Sequence, residues 1–505
     1  MPHPPRARPS TEPDRPLRPR SARPRAAAAV DDPAATTARV AATATSGAAV
    51  VGATLAGLLA LGAGPAAADV LEVQTTGKVQ DTRLGITETF RATAIAADGS
   101  RRPLPDFVVG GSGQVSAATT SPDGTLVAVD FEGGHQGTTV LRTDGGAAPR
   151  PVLFSPLEAG FLRTWSADGR RLLFDPVREG QDDASDSDDV PPRTVGVCDL
   201  QRARCRARPA AGAAAAFLPD GRLVSATTAI EGRLTFDDLE DTPEVAARGG
   251  RDARRMRRIA RRRIVVRTTV AGATSTATVD RHASTPASGV DVATGAVASP
   301  VGVLVSRQRV RVRRGTRARC RVYRESGVGL VRARRCLTLT TRRRPAAPLL
   351  VAPDGAVRTL HLPTVGADDV TPVRGLPDGR WLGLLGADEP APISPSTGAA
   401  IAVVGPDGTA APVTLGGRRA TAERIATAVG RRPGGRPGEV ELLGYERATG
   451  TIVVLVGVEP APGTEEDEPR AAVRLRLDGG PAQLIAVQDE GYAGEESSRE
   501  VVAAW

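Results

Sequence analysis

Thr120-Ser121-Pro122-Asp123-Gly124-Thr125-Leu126-Val127-Ala128-Val129-Asp130 is the stretch whose reading decides the fold. Proline presets φ at the second position of a type I turn, aspartate closes the turn, and glycine takes the positive-φ position beyond it. An apolar run starts at once, so the stretch reads as a hairpin turn opening a buried strand. The same order of residues returns in Trp165-Ser166-Ala167-Asp168-Gly169-Arg170-Arg171-Leu172-Leu173-Phe174 and in Phe217-Leu218-Pro219-Asp220-Gly221-Arg222-Leu223-Val224. Shorter copies stand at Pro353-Asp354-Gly355, Pro377-Asp378-Gly379-Arg380-Trp381-Leu382 and Pro406-Asp407-Gly408, and a degenerate one at Ala97-Asp98-Gly99. A unit that recurs in this way marks a repeat architecture, in which neighbouring units bury one another's apolar faces. The turn aspartates are structural in this reading.

The Ser-Pro-Asp-Gly turn ahead of an apolar strand is complete at Ser121–Asp130, close at Ser166–Phe174 and partial at Leu218–Val224. It resembles the WD40-like (PD40) propeller repeat of the TolB family. That resemblance implies an all-β fold: a β-propeller of roughly six to eight blades, seven being the best fit, at about 40–45 residues per blade. It does not bring a function with it, because propellers host many.

The chain has 505 residues, 40% of them hydrophobic but only 3% aromatic, so valine, leucine and alanine must fill the core. A single lysine, Lys78, stands among 66 basic residues. So strong a preference for arginine, with heavy alanine use, points to coding bias and weakens arginine content alone as a sign of a polyanion partner. The charge is also uneven. Between Arg251 and Pro345 there are 25 arginines against Asp252, Asp280, Asp291 and Glu325, a net charge of +21 within a chain whose total is +9. A basic segment, 251–345, thus sits on an acidic body.

Residues 1–39 are rich in proline and arginine without apolar periodicity and read as disordered. Residues 40–68 carry a charge-free apolar stretch that ends in Ala66-Ala67-Ala68, before Asp69. A positive flank, an apolar stretch and a small-residue exit are the marks of a secretory signal peptide. The alternative is an uncleaved anchor, since about 20 apolar residues can span a bilayer. Residues 69–505 would then form the propeller, exported and monomeric, with the basic segment as an Arg-rich insertion or as divergent blades. The acidic loop Gln181–Asp189 lacks the turn glycine and closing glutamate of an EF-hand loop and reads as solvated rather than calcium-binding.

Four cysteines fall in two local pairs. Cys198 and Cys205 lie on two strand-like runs joined by a tight turn, and Cys320 and Cys336 bracket a second hairpin. In an exported chain each pair is expected to form a disulfide, contributing roughly 2.5 and 3 kcal/mol if loop entropy is the only term. No cofactor or metal site is expected, because the four histidines are not spaced as ligands and no zinc pattern surrounds the cysteines. Gly110-Gly111-Ser112-Gly113 stops short of a nucleophile elbow.

Three functions are compatible with these features. The leading one is an exported, non-catalytic propeller that binds a protein or polymer in the cell envelope or outside the cell. The second is a propeller enzyme with a site in its central channel. The third is a surface binder of acidic polymers through a patch of Arg254, Arg255, Arg257, Arg258, Arg261, Arg262 and Arg263. Nucleic acid is disfavoured as that polymer, since Tyr323 is the segment's one aromatic and stacking platforms are missing.

Overall fold

The computed structural model describes residues 69–81, 85–110, 114–132, 137–145, 162–174, 194–202, 204–209, 214–230, 244–247, 251–272, 275–323, 330–365, 369–386, 396–434, 439–460, 469–488 and 499–505. Residues 1–68 and the acidic loop at 181–189 lie outside the described residues. The described chain is almost entirely strand, with two short helices, Arg251–Ile259 and Ala422–Ala428.

The described strands form seven antiparallel meanders, and Thr414–Leu415 pairs with Arg418–Arg419 as a separate two-stranded hairpin. The first meander joins both ends of the unit: Arg499–Ala504 pairs with Asp69–Asp81, followed by Gly85–Ala96 and Arg101–Pro103. The second holds Gln114–Thr120, Leu126–Glu132 and Gly137–Arg142. Leu162–Trp165, Arg171–Phe174, Thr194–Asp199 and Arg204–Pro209 make the third, and Ala214–Phe217, Leu223–Ile230, Ile264–Ala271 and Thr276–Ser284 the fourth. The fifth comprises Val290–Ser299, the two 22-residue strands Gly302–Tyr323 and Leu330–Val351, and Val357–Thr359. The sixth runs Val370–Gly375, Trp381–Leu385, Ala400–Val404 and Ala410–Pro412. The seventh runs Val440–Glu446, Thr451–Gly457, Arg470–Arg476 and Gln483–Gln488. One parallel pair, Gly444 with Ala504, joins the seventh meander to the first. One partner of Asp69–Asp81 is therefore the C-terminal strand. Ile485 lies on the outer strand of the seventh meander.

Strand alternation explains how these meanders pack. Successive side chains point to opposite faces, and each meander here buries both. Leu71 and Val73 join Phe90, Val127, Val129 and Phe131 between the first and second meanders, whereas Val70 packs with Leu443, Val453 and Leu455 against the seventh. The same holds in succession along the chain. Ala128 and Val140 meet Leu172 and Phe174, Leu173 and Val195 meet Phe217, and Ala216 and Val224 meet Val303 and Val351. Leu304 and Leu350 meet Trp381 and Val404, and Leu384 and Ile401 meet Ile452 and Val454. Small aliphatic residues dominate, as the low aromatic content requires. The one aromatic cluster among the described residues is Phe90, Phe107 and Phe131, with ring centroids 4.9 to 5.6 Å apart.

The recurring turn does the same work at each copy. Gly99, Gly124, Gly169, Gly221, Gly355, Gly379 and Gly408 all have φ between 66° and 93°, a region open to glycine without a Cβ clash. In each, the aspartate Oδ1 accepts the backbone N–H two residues on, at 2.9 Å to Ser100, 3.1 Å to Thr125, 3.2 Å to Arg170 and 3.0 Å to Arg222, with Asp354, Asp378 and Asp407 alike. At Ser121 and Ser166 the buried hydroxyl adds two more bonds. It donates to the aspartate and accepts the N–H of Leu126 or Arg171, both at 2.9 Å. Pro122, Pro219 and the other turn residues thus sit where the chain reverses. The fifth meander makes the equivalent reversal with Ser299-Pro300-Val301-Gly302, which has no aspartate and is not legible as a copy.

The basic segment, 251–345, spans parts of two meanders. It contributes the helix Arg251–Ile259, the outer half of the fourth meander and most of the fifth. Ala293-Thr294-Gly295 lies inside the strand Val290–Ser299. Both disulfides are formed as paired locally. Cys198 faces Cys205 directly across its hairpin, with Cα atoms 4.0 Å apart, and Cys320–Cys336 spans 6.4 Å. Cys336 is registered with Arg317, so regular alternation would place Cys320 on the opposite face. Arg319, immediately before it, has φ 54° and interrupts the alternation.

Candidate functional site

The first strands of the second to seventh meanders with the turns after them, and Trp505 directly after the C-terminal strand, converge on one cavity of about 420 Å³. All seven meanders supply wall residues: Trp505 from the first, Thr119 and Thr120 from the second, Thr164 and Trp165 from the third, Phe217 from the fourth, Val297 from the fifth, Arg374 from the sixth, and Leu442 and Tyr445 from the seventh. The bulk of the wall is apolar, with Leu162, Leu376 and Leu443 beside the aromatic rings.

Local irregularities in the backbone shape this wall. Six of the seven first strands carry a β-bulge, with Val502, Ser116, Arg163, Thr294, Val373 and Leu443 as the extra residues. A bulge bends the strand and re-aims the side chains beside it. In the sixth meander Pro372 pairs with Gly383 and Arg374 with Leu382, so the bulge at Val373 sets Arg374 on the cavity wall. Neighbouring meanders are tied across the rim. Trp165 Nε1 donates to the Thr119 carbonyl at 3.1 Å, Thr120 Oγ1 to the Ala504 carbonyl at 2.7 Å, and Arg447 Nη1 to the Pro122 carbonyl at 3.1 Å.

The electrostatics of the cavity are one-sided. Among the described residues its titratable wall groups are Arg374, Arg447 and Tyr445, with no carboxylate, histidine or cysteine. Arg447 is exposed at the rim, whereas Arg374 is half-buried. The Arg374 guanidinium makes one long contact, Nη1 to the Leu443 carbonyl at 3.5 Å, and desolvation pulls its pKa down to about 10. Burial, and then the nearby Asp378, push the Tyr445 hydroxyl up. Asp378 itself is engaged by Arg380, Nε to Oδ2 at 2.7 Å, in the turn beside the cavity.

Sequence reading singled out none of Arg374, Tyr445 or Trp505. A signal for Arg374 does exist. Counted five residues back from the turn glycine, the chain has Thr119, Thr164 and Ala216 where the sixth meander has Arg374. The arginines named from charge alone lie elsewhere. Helix Arg251–Ile259 buries Ala253 and, with Ala260, packs on Val310, Val312 and Leu339 of the long hairpin, leaving Arg254, Arg257, Arg258 and Arg261 exposed. Arg263 is exposed and Arg262 half-buried, each with an interaction of its own, and the Arg255 side chain lies outside what is described. The hairpin adds Arg311, Arg313, Arg314 and Arg317 on one strand and Arg342, Arg343 and Arg344 on the other, all exposed. Among the described residues no group of three or more His, Cys, Asp or Glu is placed to hold a metal, and no helix is long and apolar enough to cross a membrane.

No family model matches the chain, and no curated protein matches it. Solved structures do match, weakly. Prolyl oligopeptidase B from Galerina marginata aligns over 85% of this chain and 51% of its own at 8% identity, with a TM-score of 0.35. The present chain thus spans about half the length of that relative. A eukaryotic initiation factor aligns over 83% of this chain and 96% of its own, at 11% identity and a TM-score of 0.29. A variant of the apocarotenoid oxygenase of Synechocystis aligns over 87% and 93%, at 11% identity and a TM-score of 0.29.

Proposed function

We propose that the chain is an exported, non-catalytic seven-bladed β-propeller of the TolB-like, WD40-like kind, a binding module whose site is the central cavity. The observation that carries this reading is the cavity wall itself, to which every one of the seven meanders contributes. Supporting a closed ring are the burial of both faces of each meander and the C-terminal strand inside the first one. An apolar cavity of this volume with a few polar groups has the character of a ligand pocket. Its walls offer hydroxyls and arginines, and no side chain that would exchange a proton near neutral pH, which favours binding over acid–base catalysis. Two disulfides and the apolar stretch before Asp69 support an oxidising destination, the cell envelope or beyond it. The partner is a protein or envelope polymer, met by a monomer.

A neutral naphthalene-type dye tests the cavity. The full chain should take it up with a saturable change in tryptophan emission, since Trp165 and Trp505 line the wall. Thr164→Phe, which fills space at a half-buried wall position, should abolish uptake while the melting temperature stays in place. Equal uptake by the filled variant would move the site elsewhere.

A second reading, a surface for acidic polymers, rests on the fifth meander. There Arg311 is registered directly opposite Arg342, both exposed, and like charges in direct cross-strand register are destabilising. An external polyanion would relieve that repulsion.

A further inference from the structure

We propose that the central cavity recognises a carboxylate carried on an apolar body, with Arg374 as the residue that binds the anion. The proposal rests on the cavity being the binding site and adds its ligand chemistry.

The argument begins with charge compensation. Desolvated charges in proteins are ordinarily paired and hydrogen-bonded, because water no longer solvates them. Other arginines of the meanders follow that rule even where water could serve. Arg222 pairs with Asp220 at 2.6 Å, Arg380 with Asp378 at 2.6 Å, and Arg309 with Asp291 at 2.6 Å. Arg374 is half-buried where Arg380 and Arg309 are exposed, yet its one hydrogen bond among the described residues is a 3.5 Å contact to a neutral carbonyl, and no ion pair is formed for it among them. Four of the five guanidinium donors are left for a ligand.

The surroundings set the ligand's form. The bulge at Val373 delivers a single half-buried cation into a wall of Trp165, Phe217, Leu376, Leu442 and Trp505. One cation in an apolar pocket suits a monoanion gripped by two parallel N–H bonds, the geometry that guanidinium offers carboxylate. A dianion such as a phosphate monoester would need a second cation at the same depth, and Arg447 is at the exposed rim with its Nη1 given to Pro122. Such a monoanion has two sources: a free apolar acid or the C-terminal carboxylate of a peptide ending in apolar residues.

The test titrates the full chain by calorimetry with dodecanoate and with acetyl-Leu-Phe in its free-acid and amide forms. Dodecanoate binding without the peptide acid identifies a free acid, and the reverse identifies a peptide end; either supports the proposal. The acid should bind at least ~10-fold more tightly than its amide, the ratio expected for a charge-assisted hydrogen bond. Arg374→Gln should bring the acid down to the affinity of the amide, and Arg374→Lys should restore part of the difference. Because Arg374→Gln removes a desolvated cation, its melting temperature should not fall below that of the wild type, which separates lost binding from lost fold. Equal affinity of acid and amide, an unaltered acid affinity in Arg374→Gln, or binding by neither acid overturns the proposal. Uptake of the neutral dye in any of those cases leaves the cavity standing as a binding site and removes only the anion.

Discussion

Asp168 shows in one residue how the repeat is held and where it is vulnerable. Burial alone would raise its pKa, but the Ser166 hydroxyl, the Arg170 amide and the charges of Arg171 and Arg170 outweigh burial and hold the carboxyl below its ordinary range. Asp123 is held low in the same way by Ser121 and Thr125, Asp220 by Arg222, and Asp378 by Arg380. A carboxylate whose folded pKa is depressed contributes stability that is fully present above its unfolded pKa and lost as pH falls through the folded value. The melting temperature should therefore hold above about pH 4, the unfolded aspartate value, and decline below it. Asp168→Asn, which keeps the acceptor for the Arg170 amide but cannot ionise, should make that decline shallower. Melting curves across the acid range decide the matter, and parallel declines in variant and wild type would detach the turn charge from stability.

At the scale of elements, the long hairpin of the fifth meander is the part of the fold that behaves least like its neighbours. Its two strands run to 22 residues each and expose arginine in facing rows, with Arg309 opposite Arg344 and Arg311 opposite Arg342. Arg309 is neutralised by Asp291, whereas among the described residues Arg311 and Arg342 form no ion pair, and both are exposed. Each phosphate or sulfate contact releases counterions, so binding to an acidic polymer should weaken steeply with salt. Replacing Arg311, Arg313, Arg342 and Arg344 by glutamine should flatten the salt dependence of retention on heparin resin, and more so than replacing Arg254, Arg257, Arg258 and Arg261 on the helix. Equal elution of all three proteins would leave the hairpin without a polymer to bind. Much of this element is readable in the sequence: Val310 and Val312 between arginines give the strand, and Cys320 with Cys336 gives the hairpin. What is not readable is the cross-strand register, which a cationic run with few apolar residues leaves weakly specified. The turns were legible for the opposite reason, since Pro-Asp-Gly fixes a conformation through three adjacent residues. The cavity was hidden because its walls come from strands as far apart in sequence as Thr119 and Trp505, and Arg374 gains its meaning only from a bulge one residue away.

For the molecule as a whole, the decisive place is the junction where the seventh meander meets the first, since every other junction follows chain order. Here Gly444 lies so near the C-terminal strand that an added Cβ would stand 2.7 Å from the Ala504 carbonyl oxygen. Beside it is the one fully buried ion pair among the described residues. Arg474 and Glu446 are 2.6 Å apart, with side-chain exposures of 4% and 0%. The pair is fully served: Arg474 Nη2 donates to the Ile95 carbonyl of the first meander at 3.0 Å, and Glu446 Oε2 accepts from Thr449 at 3.1 Å and from Thr451. Desolvation makes such a pair a poor source of net stability, but removing one member strands the other as an unpaired buried charge, at about 3–5 kcal/mol. Arg474→Met should thus lower the free energy of unfolding in urea by that amount and release the Ile95 carbonyl from the seventh meander. Glu446→Leu combined with Arg474→Met should recover most of the loss, because two apolar side chains leave no charge behind. If the single variant is as stable as the wild type, the junction is held by its aliphatic contacts alone. If instead the double variant stays as unstable as the single, the bond from Arg474 to Ile95 is what keeps the ends of the chain together.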